Sequence, residues 1–241
     1  MNKYEIVSLI PARGGSERVP RKNIRMIAGK PMLAWTIEAS LKSKYVNRTF
    51  VSTEDAEIKK VALEYGAEVV DRPLKYASDV RAEFNGVVAH FRECMEELEY
   101  YPNYLVFLHA TAPLRTAQHI DEAMELLLNN NYDLLEAVTP FQHDLKTAVK
   151  YLNEKQRTEY IMDFNRQSNK GRGIPSKTYI SNGSLYIGNY VSFNYYATCY
   201  NSALAYIMKW EESIDVDLPI DFKIAEFLLK ERIKNEKKEG G

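Results

Sequence analysis

Apolar positions along this chain fall into short solid runs alternating with longer stretches spaced like helices. Ile6 to Ile10 is such a run and reads as a buried strand that stops at Pro11. Beyond Pro31, a residue suited to the first turn of a helix, Met32, Leu33, Ile37 and Leu41 recur on one helical face. Phe50 and Val51 mark a second strand ending at Ser52-Thr53. Those hydroxyls suit the cap of a helix whose first turn carries Glu54, Asp55 and Glu57. Gly66 stops that helix, and Ala67 to Val70 give a short strand. Residues 82–99 place Phe84, Val87, Val88, Phe91, Met95 and Leu98 at helical spacing. Tyr104 to Leu108 is a buried strand, Pro113 a turn, Thr116 to Asn129 a helix and Asp133 to Val138 a further strand. This alternation predicts βα units and a doubly wound, mainly parallel α/β sheet.

The pattern changes between 141 and 180, which is polar, holds short alternating pieces and contains the glycine-rich stretch Asn169 to Gly173. It reads as a small inserted lobe, leaving 1–140 and 181–241 as one α/β domain. Gly183 to Ile187 and Ala203 to Met208 return to strand character. An amphipathic helix, Ile220 to Ile233, then leads into a charged tail read as frayed. The many tyrosines between 179 and 206 read as packing residues.

With 241 residues, 45% of them apolar, the chain is long enough for one full α/β core. A net charge of −1 argues against general nucleic-acid binding, which needs a broad basic face. Cys94 and Cys199 are far apart, form no metal-type spacing and suit a reducing compartment as small core residues. The N-terminal apolar run is too short for a signal peptide or a membrane span, so a cytoplasmic location is expected.

Against that neutral background one window stands out. Residues 13–30 hold six basic side chains (Arg13, Arg18, Arg21, Lys22, Arg25 and Lys30) and a single acid, Glu17. A strand running into a basic loop with Gly14 and Gly15 is how α/β proteins hold polyphosphates. Glycine admits the backbone N–H groups to the ligand, and fixed cations neutralise it. The loop matches neither G-x-x-x-x-G-K-[ST] nor G-x-G-x-x-G. Far along the chain, Ile214-Asp215-Val216-Asp217 places two carboxylates on one face of an extended segment, about 6–7 Å apart. Such hard oxygens suit Mg²⁺, and they equally suit a solvated strand end or a helix cap, the role given to Asp221.

PARGGSERVPRKN, STEDAEI, DRP at 71–73, LHATAPLRT at 108–116, SNGSLYIG at 181–188 and SIDVDLPIDF at 213–222 occur in this order. Through them the chain resembles, over essentially its whole length, the CMP-sialic acid synthetases (acylneuraminate cytidylyltransferases), including relatives that activate legionaminic and pseudaminic acids. The resemblance implies a doubly wound nucleotide-binding domain, a dimerisation lobe at 141–180 and a homodimer. It implies transfer of CMP from CTP to a nine-carbon 2-keto sugar acid, with Mg²⁺ as cofactor and pyrophosphate as the other product. Arg13, Gly15, Ser16, Arg18, Lys22 and Asn23 then hold CTP, Arg72 lies near cytosine and ribose, and Asp215 and Asp217 hold the metal. Arg13, Lys22 and the two aspartates carry catalysis. His109, Lys146 and Asn182 face the sugar acid, whose carboxylate pairs with Arg172 or, as a second candidate, Arg166.

Two departures from the family pattern matter. Glu17 stands where relatives carry a lysine, so that either Arg18 supplies the missing cation or Glu17 points away. His109 stands where many sialic acid members carry glutamine, which implies an acceptor differing from N-acetylneuraminate in its side chain or acyl groups. The alternatives are a nucleotidyltransferase for an eight-carbon keto acid or a sugar 1-phosphate, and a catalytically silent nucleotide-binding subunit.

Overall fold

The computed structural model describes residues 3–76, 83–141, 149–152, 157–160, 179–193 and 203–239. Strand β1 (Ile6–Pro11) is buried on both faces from Ile6 to Ile10, which requires neighbours on both edges and helices above and below. Its neighbours are β4 (Arg48–Thr53) and β6 (Tyr104–Leu108), both parallel to it. Short strands β2 (Met26–Ile27) and β3 (Lys30–Pro31) pair antiparallel outside the main sheet. Strand β5 (Glu68–Asp71) extends the sheet beyond β4, while β7 (Leu134–Pro140), β10 (Tyr179–Asn189) and β11 (Leu204–Ile207) extend it beyond β6. The seven-stranded order is β5-β4-β1-β6-β10-β7-β11. Only β10 runs antiparallel to its neighbours, β6 and β7. Strands β8 (Val149–Leu152) and β9 (Arg157–Tyr160) form a separate antiparallel pair within the 141–180 stretch.

The chain moves outward from β1 to β4 and β5, then returns to the other side of β1 with β6. That reversal puts the loops after β1 and β6 side by side at the carboxyl edge, the place where doubly wound sheets take ligands. Side-chain alternation along β1 divides the core between two layers. Ile6 and Ile10 pack with α1 (Met32–Leu41), α2 (Ala56–Glu64) and α4 (Ala117–Leu128), whereas Val7 and Leu9 pack with α3 (Glu83–Glu97). A third cluster joins Phe222, Ala225 and Leu229 of α5 (Pro219–Glu239) to Val19, Ile27, Ile214 and Val216.

Three expectations need correction. Asp55, not Ser52 or Thr53, caps α2: its carboxylate accepts the Glu57 and Ile58 N–H groups at 3.0 Å, and Thr53 Oγ1 only accepts from the Asp55 N–H. Glu54 therefore lies outside the helix. Helix α5 continues to Glu239, so the charged tail is helical, with Lys237 and Lys238 favourably placed at its C-terminal end. Cys94 is half-buried on α3, its Sγ 3.6 Å from His90 Nε2 and its thiol pushed up by burial, while Cys199 lies outside the described residues.

Gly188 shows how tightly β10 is seated. A Cβ there would lie 2.8 Å from Phe193 Cδ2 and 3.0 Å from both the Asp133 carbonyl and Leu134 Cδ1. Gly188→Ala is expected to destabilise the fold by about 1–3 kcal/mol, since a rigid backbone oxygen must give way. A denaturant titration checks it, and an unchanged midpoint contradicts the packing.

Candidate functional site

The loop after β1 is built as a cradle. Asn23 is buried and its Nδ2 donates to the Arg13 carbonyl at 2.9 Å, closing residues 13–23 into a compact turn. Gly14 is the glycine this turn demands, because a Cβ there would lie 2.3 Å from Asp55 Oδ2. Gly15 is different: a Cβ there meets nothing within 4 Å, and Gly15 is not among the residues lining the cleft described next.

The loop's basic residues divide. Arg13, Arg18 and Lys22 line a cleft of about 1140 Å³, together with Ser16, Glu17 and Asn23. The other three are committed elsewhere. Arg21 donates to Asp55 Oδ1 at 2.9 Å and to Glu57 Oε2 at 2.8 Å, Arg25 lies over the Phe222 ring, and Lys30 pairs with Glu38 and covers Trp35. Glu17, an exposed residue, also lines this cleft.

The opposite wall comes from the segment before α5. Ile214 and Val216 are buried against α5, and the alternation turns Asp215 and Asp217 into the cleft. The Val216 N–H donates to the Thr111 carbonyl at 2.8 Å, fixing this segment to the loop after β6. Asp221 reaches back from the first turn of α5 to accept the Asp217 and Leu218 N–H groups, the capping role expected for it.

The two walls touch. Lys22 Nζ donates to the Val216 carbonyl at 2.6 Å and to Asp217 Oδ1 at 3.0 Å, and Arg18 Nη1 lies 3.6 Å from Asp217 Oδ2. Residues almost two hundred positions apart in sequence thus share one small volume. Burial raises the Asp215 carboxyl above its ordinary value; a hydrogen bond from Thr111 opposes that rise and the Asp217 charge adds to it. A carboxylate whose ionised form is disfavoured by its surroundings is a group that a bound cation would stabilise. Paired oxygens at an open cleft are the donors Mg²⁺ takes along with substrate phosphates, so these residues fit the metal.

The remaining lining residues come from the carboxyl edge of the sheet. Arg72 follows β5, His109 follows β6 and Asn182 lies in β10, and all three reach the same cleft. Asn182 Oδ1 accepts the Ser184 N–H at 2.9 Å, which fixes the side chain's orientation. Burial, and then the nearby Arg115 charge, lower His109 to about 4, so its imidazole is neutral near pH 7. It stands among aromatic rings, with centroids 5.4 Å from Phe107, 5.9 Å from Tyr186 and 6.4 Å from Phe84. Lys146, Arg166 and Arg172 lie outside the described residues.

Arg115 is a site component that the sequence does not announce. It is 1% exposed, and burial pulls it down to about 9. It donates to the Ser184 carbonyl and, at 3.4 Å, to the His109 carbonyl, tying together the two arms that carry Asn182 and His109. After Pro113-Leu114 and before a helix, it carries no pattern that singles it out; its one signal is its place inside LHATAPLRT. Glu54 is likewise hidden, being one of two adjacent acids in STED.

A cationic loop and a carboxylate pair facing each other at the switch point of a doubly wound sheet define a nucleotidyltransferase. A family model described as Cytidylyltransferase matches residues 7–225, and this chain belongs to that family. It is 34% identical over 75% of its length to the pseudaminic acid cytidylyltransferase of Campylobacter jejuni, of which it covers 76%. It is also 34% identical to post-translational flagellin modification protein B of Campylobacter coli, over 95% of this chain and 96% of that one. To the N-acylneuraminate cytidylyltransferase of Escherichia coli it is 30% identical over 92% of its length, spanning about half (52%) of that relative. Among solved structures, CMP:2-keto-3-deoxy-manno-octonic acid synthetase complexed with CTP aligns over 95% of this chain and 99% of its own, with a TM-score of 0.65 and 16% identity. At that identity the likeness supports the fold.

Proposed function

We propose that this protein transfers CMP from CTP to the anomeric hydroxyl of a nine-carbon 2-keto sugar acid and releases pyrophosphate. The observation that carries the reading is the contact of Lys22, from the first loop, with Asp217, from the segment before α5, inside one cleft. The hydroxyl oxygen bonds to the α-phosphorus, the bond from that phosphorus to the α–β bridging oxygen breaks, its electron pair leaves with pyrophosphate, and the hydroxyl proton passes to solvent water. Charge grows on the β and γ phosphates, where Arg13, Arg18 and Lys22 are placed to bind it. Asp215 and Asp217 would hold Mg²⁺, which neutralises phosphate charge and polarises the reacting phosphorus. The hydrogen-bonded Asn182 amide orients the acceptor, and His109 offers it a neutral face.

Around His109 the cleft is aromatic, with Phe84, Phe107 and Tyr186 beside it. That wall favours an acceptor presenting acylamino and methyl groups, of the pseudaminic or legionaminic kind, over one presenting a chain of hydroxyls. The working form proposed is a cytoplasmic homodimer joined through the 141–180 lobe, on the strength of the family resemblance. Pyrophosphate release by the purified chain with CTP and Mg²⁺, measured across an acceptor panel, tests the function. Turnover is expected with pseudaminic or legionaminic acid and about tenfold or more slower with N-acetylneuraminate. Equal or better use of N-acetylneuraminate removes the reading of His109. CTP binding without turnover on any acceptor favours the silent subunit.

A further inference from the structure

We infer that Glu54 is a positioning residue for base recognition, holding the Arg72 guanidinium and the Gly14 end of the phosphate loop in one fixed arrangement. This rests on the cleft being the CTP site. Glu54 ends the β4 strand region just before α2, and its side chain is 13% exposed. Its two oxygens do different work. Oε1 accepts the Gly14 N–H at 2.8 Å, and Oε2 accepts from Arg72 Nη2 at 2.6 Å and Nε at 3.3 Å. One carboxylate therefore joins the ends of β4 and β5 to the turn that follows β1. The next residue, Asp55, holds Arg21 at the far end of the same loop, so the loop is anchored from behind at both ends.

The consequence lies with Arg72. Its side chain is fully buried, two of its three nitrogens are occupied by Glu54, and Nη1 has no acceptor among the described residues although Arg72 lines the cleft. A buried donor without a partner is costly, which marks the place where a ligand acceptor belongs. With its charge matched by Glu54, Arg72 presents a fixed N–H to a neutral oxygen or nitrogen, leaving the phosphates to Arg13, Arg18 and Lys22. Cytosine offers acceptors at both O2 and N3, whereas uracil carries a hydrogen on N3. Both bases keep an acceptor at O2, so a rigid N–H donor separates them where it meets N3, provided it stays rigid. Burial works against ionised Glu54, but the bonds from Arg72 and Gly14 outweigh it and keep the carboxyl below its ordinary value.

Glu54→Gln in the full chain is the test. Glutamine keeps an acceptor for Gly14 but removes the charge that pins Arg72. The KM for CTP is expected to rise about tenfold with kcat within about twofold, and the preference for CTP over UTP to fall about tenfold. Glu54→Asp keeps the charge one carbon further back and is expected to fall between the two. Calorimetric titration with CTP and UTP reads the same preference without turnover. Failure of the wild type to transfer CMP would thus count against the proposed function and not against Glu54. An unchanged CTP-to-UTP ratio in both variants, whether or not the melting temperature falls, overturns the inference and leaves Glu54 a purely structural group.

Discussion

Asp217→Asn is expected to lower pyrophosphate release by about a thousandfold or more while CTP binding in metal-free buffer stays as tight as in the wild type or becomes tighter. The asymmetry follows from the ion pair. In the structure Asp217 is held by Lys22 at 3.0 Å and approached by Arg18 at 3.6 Å, the same cations assigned to the triphosphate. Removing the carboxylate charge frees both for phosphate and removes a repulsive neighbour, so nucleotide affinity is retained. On the proposed metal site transfer should still fail, because one of the two carboxylates that would hold Mg²⁺ has lost its charge. The loop should keep its shape, since Lys22 also donates to the Val216 carbonyl at 2.6 Å, a bond the substitution leaves alone. Calorimetry with CTP in a chelator and a pyrophosphate assay with Mg²⁺ separate the two effects. Near-native pyrophosphate release removes Asp217 from the reaction. Loss of CTP binding would mean that the ion pair organises the loop instead of competing with the ligand.

That pair also marks the boundary of what the amino-acid order reveals. The strand from Ile6 to Ile10 and the basic loop are legible because apolar density and charge density are local properties. The meeting of Lys22 with Asp217 is not local, and only the family resemblance foretells it. Charge density also overstates the cradle. Arg21, Arg25 and Lys30 lie in the same window as Lys22, yet they face Asp55, Phe222 and Glu38. Which way a side chain leaves a turn depends on backbone angles that the composition of the turn does not fix; Arg21 itself takes a left-handed φ of 55°. Direction is hidden in the sheet for a similar reason. An apolar run such as Leu185 to Ile187 buries equally well in either sense, so β10 reads as one more strand and not as the antiparallel one. The carboxylates are missed differently again. Glu54 and Asp55 both suit the start of a helix, and only the register shows Asp55 capping while Glu54 turns inward to Arg72.

Arg115→Met carries the second large effect, and it divides activity from stability. Arg115 is 1% exposed with no ion-pair partner among the described residues, so its charge is held at the expense of stability. Methionine fills much of the same volume without that charge but leaves the Ser184 and His109 carbonyls short of a donor. The two terms oppose each other, and a melting temperature within a few degrees of the wild type is expected. Activity should suffer more. The arms carrying His109 and Asn182 lose their common tie, and a shift of about 1 Å at the acceptor is enough to lower kcat/KM roughly a hundredfold. Histidine titration supplies a readout that simple loosening does not predict. Burial is the main reason His109 sits at about 4, and the Arg115 charge is the next. Because the unfolded chain protonates near 6.5, the wild type has the full His109 contribution to stability above pH 6.5 and loses it as pH falls from 6.5 towards 4. Without the Arg115 charge His109 should titrate higher, narrowing that window from below and making the acid loss shallower. Ring-proton NMR across pH 3 to 8 (roughly the span that brackets both values) measures it directly. A His109 value unmoved in Arg115→Met, together with wild-type turnover, would show that the buried guanidinium does no more than fill its cavity.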